Sequence, residues 1–232
     1  MVPHPALTLF IDLGDALAVD DADGARKRGA VVVGLAPATV RGSGRDVDLL
    51  QVRLTPAAAH AVLGAPAEWG GGVVALADLW GRDADRMRAR LRAAGSWHDR
   101  FAVMDDALAR RHETGRAVDP EVTCAWARMV TGHGRVRVDR LAAEVGWSRK
   151  RLWSRFGSQI GLTPKRAARL VRFDRVAHRL AAGHSVALVA AESGFADQSH
   201  LCRDVLDVAG MSPRDVAAAP WLVVDDVAWP TR

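Results

Sequence analysis

The last hundred residues carry one two-helix pattern twice, and this repeat constrains the chain more than any other feature. The first copy reads Leu141-Ala-Ala-Glu-Val-Gly-Trp-Ser-Arg-Lys-Arg-Leu-Trp-Ser-Arg-Phe156, and the second runs from Leu188 through Glu192-Ser-Gly-Phe-Ala-Asp-Gln-Ser-His200 to Val205. Each has a short Ala-rich helix, a turn at Gly-aromatic (Gly146-Trp147 and Gly194-Phe195), and a second helix that opens on polar residues. Two short helices joined this way cross steeply and leave the second free to enter a DNA major groove. One copy would be a common pattern; two in tandem are a strong signal.

Between the copies, Pro164 opens a helix that Gly183 stops, with Leu170, Phe173, Val176, Ala177 and Leu180 on one apolar stripe. A helix of ~18 residues spans ~27 Å at 1.5 Å per residue, a rigid spacer compatible with two reading helices one duplex turn apart. Its arginines, Arg169, Arg172, Arg175 and Arg179, read as a solvated face.

Charge follows this division. Residues 1–120 carry 15 basic and 16 acidic side chains, a net −1, whereas residues 135–214 carry 15 and 7, a net +8. A basic module attached to a neutral one suits a nucleic-acid reader joined to something else. Two cysteines far apart, Cys124 and Cys202, fit a reducing compartment, and no apolar run approaches the ~18 residues of a membrane span. The expected setting is the cytoplasm, in association with the nucleoid.

The N-terminal part reads as β. Leu7–Leu13, Ala30–Leu35 and Val47–Leu54 are apolar or β-branched runs, separated by turns at Asp20–Gly24 and Arg41–Arg45, which suits a small sandwich or partial barrel. Thr55-Pro56 starts a helix over Ala57–Leu63. Two helices follow within 83–113, the second with Trp97, Phe101, Met104 and Leu108 as its apolar stripe; Asp119-Pro120 starts another, and Gly115–Pro120 reads as a linker. The expected class is α+β, with a β-rich domain over 1–80, a helical connector over 81–134, an all-α double helix-turn-helix domain over 135–219, and a tail over 220–232.

Residues 135–219 resemble the AraC-type DNA-binding domain, in which one chain carries two helix-turn-helix units. The likeness rests on Leu141-Ala142, Ser148, Leu152, Phe156 and Gly161-Leu-Thr-Pro164 in the first half. In the second it rests on Val189-Ala190, Gly194-Phe195, Asp197-Gln198-Ser199, Leu201, Arg203 and Gly210-Met-Ser-Pro213. The chain departs from that pattern at Val205-Leu206, where the family has Phe followed by a basic residue. The resemblance implies a sequence-specific transcriptional regulator that binds double-stranded DNA. Its N-terminal domain would dimerise, take a small-molecule effector, or both, with RNA polymerase as a further candidate partner.

The resemblance and the chemistry of the side chains give the candidate DNA-binding residues. In the first unit these are Ser148, Arg149, Lys150, Trp153, Ser154 and Arg155; in the second, Gln198, Ser199, His200, Cys202 and Arg203. Arg and Lys donate to guanine or phosphate, Gln pairs with adenine, and an aromatic ring meets a thymine methyl or a sugar. Asp197 is expected to cap its helix.

No metal, cofactor or catalytic role is expected. His4, His60 and Glu68 do not make a metal cluster, Cys202 has no second ligand at suitable spacing, and Gly70-Gly-Gly72 lacks the lysine of a phosphate loop. Two other classes are set against the specific regulator: a nonspecific, architectural DNA-binding protein, and an interaction protein whose basic domain meets an acidic partner. Polar, non-identical second helices favour the regulator over both.

Overall fold

A computed structural model describes residues 2–20, 24–35, 40–69 and 72–219. The tail over 220–232 and the centre of the Asp20–Gly24 turn lie outside the described residues. The described residues form seven short strands, six ahead of the first helix and one after it: β1 (Leu7–Asp12), β2 (Ala18–Asp20), β3 (Arg26–Arg28), β4 (Ala30–Val33), β5 (Arg41–Ser43), β6 (Leu49–Leu54) and β7 (Val73–Ala75). They form two antiparallel sheets, ordered β6-β1-β4-β7 and β3-β2-β5. The three expected runs became β1, β4 and β6. Part of the expected Arg41–Arg45 turn is instead β5, because Arg41–Ser43 pairs with Ala18–Asp20.

Strand alternation divides the four-stranded sheet between two cores. Leu7, Leu9 and Ile11 of β1 face the helices together with Val32 and Leu50. The opposite face, with Phe10, Val31 and Val33, meets Val19 and Val40 in a small cluster between the sheets.

α1 (Pro56–Leu63) and a 3₁₀ turn (Pro66–Glu68) lie between β6 and β7, and α2 (Leu76–Trp80), α3 (Arg82–Ala93), α4 (Trp97–Thr114) and α5 (Pro120–Thr131) follow β7. Thr55 caps α1 through its bond from the Ala58 N–H, and Ser96 caps α4 from Asp99. Arg88 and Arg92 of α3 reach back to the carbonyls of Asp12 and Leu13, at 2.7 and 2.8 Å, and both grip Asp15. Those contacts seat α3 on the end of β1.

The expected apolar stripe of α4 is only half covered. Met104 is buried, but Trp97 and Phe101 are 45% and 52% exposed. Helical spacing fixes which residues share a face, not whether anything packs on it.

The remaining helices are α6 (Val138–Glu144), α7 (Arg149–Ile160), α8 (Pro164–Ala181), α9 (Val186–Glu192), α10 (Gln198–Ala209) and α11 (Pro213–Ala217). The main core runs without a break from β1 through α1–α5 into α6, α7 and the start of α8 (Ala167, Ala168, Leu170). A second core begins in the same helix at Phe173, takes in Val176, Ala177 and Leu180, and is completed by α9, α10, α11 and Val2. The two helix-turn-helix units therefore belong to different cores, and α8 is shared between them.

Candidate nucleic-acid interface

The two units are built by the same local rules. In each, the first helix ends in a backbone bond from the turn aromatic to a carbonyl five residues earlier: Trp147 N–H to Ala142 at 2.9 Å, and Phe195 N–H to Ala190 at 3.0 Å. That closure needs a left-handed residue before the aromatic, supplied by Gly146 (φ 68°) and Gly194 (φ 74°). The aromatic rings fold into the crossing and are buried. Each second helix then starts on a side-chain cap. Ser148 Oγ accepts from Arg151 N–H at 3.2 Å, and Asp197 Oδ1 accepts from His200 N–H at 2.6 Å.

On α7, Leu152, Phe156 and Ile160 point inward and are buried to within 1% exposure. The opposite face shows Arg149, Lys150, Trp153, Ser154 and Arg155 to solvent. Arg149 is paired with Asp139 of α6 at 2.9 Å, and Arg151 lies over the Trp147 ring at 4.4 Å. Arg155 is committed to the protein: its two donors meet both carboxylate oxygens of Asp119, at 2.7 and 2.8 Å. That guanidinium holds the Asp119 carboxyl below its ordinary value, and the Arg155 pKa rises in return.

On α10, Leu201, Val205 and Val208 are buried, while Gln198, Ser199, His200 and Arg203 are exposed and Cys202 is half-buried. His200 stands edge-on to the Phe195 ring at 5.2 Å, and Arg203 Nε donates to the Ser199 carbonyl at 3.3 Å. The residues singled out in sequence thus gather on the outer faces of the two second helices. Ser148 is additionally the cap of its helix.

Arg169, Arg172 and Arg179 of α8 are not part of a solvated face. Arg169 bridges Asp204 and Asp207 of α10, at 2.7 Å each. Arg172 reaches Asp204 at 3.4 Å and lies over Phe195 at 4.4 Å, while Arg179 pairs with Glu192 of α9. These partners sit 13 to 38 residues away in sequence, so charge patterning along α8 alone could not reveal them. Arg135, before α6, adds a bond from its guanidinium to the Glu192 carbonyl at 3.1 Å, tying the entry of the first unit to the turn of the second.

The first unit is equally tied to the N-terminal part. His60 of α1, buried, donates from Nδ1 to the Gln159 carbonyl at 3.2 Å; Gln159 Oε1 in turn accepts from Asp119 N–H at 2.9 Å. With the Arg155–Asp119 pair and buried Val118, these contacts make the expected Gly115–Pro120 linker a docked segment. A signal existed in sequence only for His60, as a histidine on an otherwise apolar helix.

Comparison with known proteins agrees with this geometry. Residues 141–219 match a family model described as a helix-turn-helix domain. ToxT from Vibrio cholerae has a similar fold, with a TM-score of 0.54 at 11% identity over 94% of this chain and 91% of ToxT. A structure of unsaturated fatty acid bound wild-type ToxT gives 0.51 at 10% identity, over 95% and 88%. A transcriptional regulator from Chromobacterium violaceum, described as an AraC-type DNA-binding domain-containing protein, is 23% identical over 48% of this chain and 96% of that one, with a TM-score of 0.40. No curated protein matches the chain. Residues 141–219 thus form a helix-turn-helix domain, and the chain shares the fold of ToxT. Among the described residues no helix is long and apolar enough to cross a membrane.

Proposed function

We propose that the chain is a sequence-specific regulator whose α7 and α10 read adjacent major-groove segments, with no catalytic step. The observation that carries this is the pair of capped second helices on one shared spacer, each with an exposed polar face: Lys150, Trp153 and Ser154 on one, Gln198, Ser199 and His200 on the other. Lys150 and Arg149 supply guanine or phosphate contacts, and Gln198 an adenine contact. Selection of bound duplexes from a random pool tests it. A recovered sequence bound at least ~10³ more tightly than its scramble, and weakened by Lys150→Ala and by Gln198→Ala, is the expected result. Equal affinity for both duplexes would instead mark a nonspecific architectural protein.

Two further parts of this reading concern the N-terminal region. Trp97 and Phe101 stack at 5.8 Å on the open side of α4, with Arg100 over Trp97 at 4.6 Å, and suit a surface joining two copies of the chain. Sedimentation should show a dimer that Phe101→Asp converts to monomer; an unchanged mass rules this surface out. A groove of about 510 Å³ between α3 and α4 is lined by Trp80 and Met87 and by Asp83, Arg86, Arg90, Arg110 and Arg111, the arginines being paired with Asp83 or Asp106. An effector with an apolar body and an anionic head, the chemistry of the fatty acid in the ToxT structure, would take these arginines over from Asp83 and Asp106. Oleate should raise the melting temperature of the wild type and not that of Arg90→Ala/Arg111→Ala; no shift in either removes this effector class.

A further inference from the structure

The tandem units repeat in backbone but not in charge. Residues 135–163 carry seven Lys and Arg against two Asp and Glu, a net +5, and residues 164–183 carry six against one, again +5. Residues 184–219, the second unit, carry two against five, a net −3. The contrast persists on the reading helices themselves. α7 has Arg149, Lys150, Arg151 and Arg155 with no carboxylate, whereas α10 has Arg203 with Asp204 and Asp207.

The acidic residues of the second unit also absorb cations from outside it. Arg169, Arg172 and Arg179 of α8 are turned toward Asp204, Asp207 and Glu192 and neutralised there, leaving them poorly placed to meet a phosphate. Beside Asp207, Leu206 presents an apolar side chain, 56% exposed, at helical spacing from the exposed Ser199 and Arg203. The first unit has pairs too, Arg149–Asp139 and Arg155–Asp119, yet Arg140 and Lys150 have no ion pair among the described residues.

We infer that the phosphate-dependent share of DNA affinity lies in the first unit and the start of α8, and that the second unit reads its groove without gripping the backbone. This rests on the DNA-binding reading above. Each neutralised phosphate releases counterions and steepens the fall of log K with log salt by about 0.9. A unit with only two arginines of its own, and with Asp204, Asp207 and Glu192 already matched by α8, releases few. It reaches its groove because the shared α8 and the Arg135–Glu192 contact deliver it there once the first unit has bound. The first unit then sets how tightly the chain binds and how steeply salt weakens it, and the second adds base preference that salt leaves intact.

The test is the salt slope of the full chain on a scrambled duplex, where base contacts do not contribute, with fold checked by circular dichroism. Lys150→Ala should flatten the slope by about 0.9, and Leu206→Lys should steepen it by about as much. Arg203→Ala/Arg214→Ala, which strips the second unit of its arginines, should move the slope by less than about half a unit. On the selected duplex the same double variant should still lose preference over the scramble. A slope that falls as far in the double variant as in Lys150→Ala, or does not fall in Lys150→Ala, overturns the inference. Absence of binding to any duplex overturns instead the DNA-binding reading beneath it.

Discussion

Gly134 separates the connector from the first helix-turn-helix unit, and replacing it with alanine should cost far more than a strained turn alone. Its φ is +72°, and a Cβ there would lie 2.1 Å from the Ala168 carbonyl oxygen and 2.7 Å from the Arg172 nitrogen, both backbone atoms of α8. The left-handed conformation costs an alanine about 1 kcal/mol. Relieving the overlap requires the turn or α8 to move by nearly an ångström in a packed interior, adding about 2–3 kcal/mol. Gly134→Ala should therefore destabilise by about 3–4 kcal/mol, a large share of the 5–15 typical of a folded domain.

Gly146 is the matched control, since its φ is +68° and nothing lies within 4 Å of a Cβ. Gly146→Ala should cost only the conformational part, about 1 kcal/mol. Urea unfolding of both variants at pH 7, with unchanged m values, reads the difference. A gap under about 1 kcal/mol would mean that the 132–134 turn is not seated on α8, and the coupling of connector to spacer described above would fail.

Asp174 on α8 has an oxygen screened from solvent with no partner, and burial raises its pKa to about 7 against the pull of Arg53. A raised carboxyl gives stability that is complete below pH ~4 and lost as pH rises through 7, so Asp174→Asn should match the wild type near pH 4 and exceed it by up to ~4 kcal/mol at pH 8.5. Urea midpoints that differ equally at both pH values would refute that placement. Asp119 has the opposite sign: Arg155 lowers its pKa, so its contribution is present above pH ~4 and lost below, and Asp119→Asn should cost on the order of 1 kcal/mol at pH 7, after allowance for its partial exposure. An unchanged stability at pH 7 would show the pair to be idle. Phe156→Ala, at a ring with no exposure that meets Trp126 at 6.4 Å, should cost about 3–5 kcal/mol, and a loss under 1 would contradict a packed first unit.

Sequence reading was most reliable where the relevant physics is local. Caps, turn glycines and proline starts depend on a few neighbouring residues, so Thr55-Pro56, Asp197 and Pro164 mark helix starts in sequence and in structure alike. The long strands β1, β4 and β6 show their apolar character over four to six residues. By contrast, β3 and β5 are Arg-Lys-Arg and Arg-Gly-Ser, too short and too polar for any periodicity; only pairing with β2 makes them strands. Long-range partners were equally hidden. Nothing near Arg169 in sequence announces Asp204 and Asp207, and nothing near Asp119 announces Arg155 and Gln159. The outward faces of α7 and α10 could be listed from sequence, but the charge trapped between α8 and the second unit required the fold.

In the proposed function, two reading helices on one rigid spacer engage one face of a duplex. Inserting about five base pairs between the two recognised segments of the selected duplex turns the second segment to the opposite face while leaving every base in place. This insertion should lower affinity to that of a duplex carrying the first segment alone, and about ten base pairs, a full turn, should not restore it because α8 cannot lengthen. Affinity unchanged by the five-base-pair insertion would contradict that arrangement.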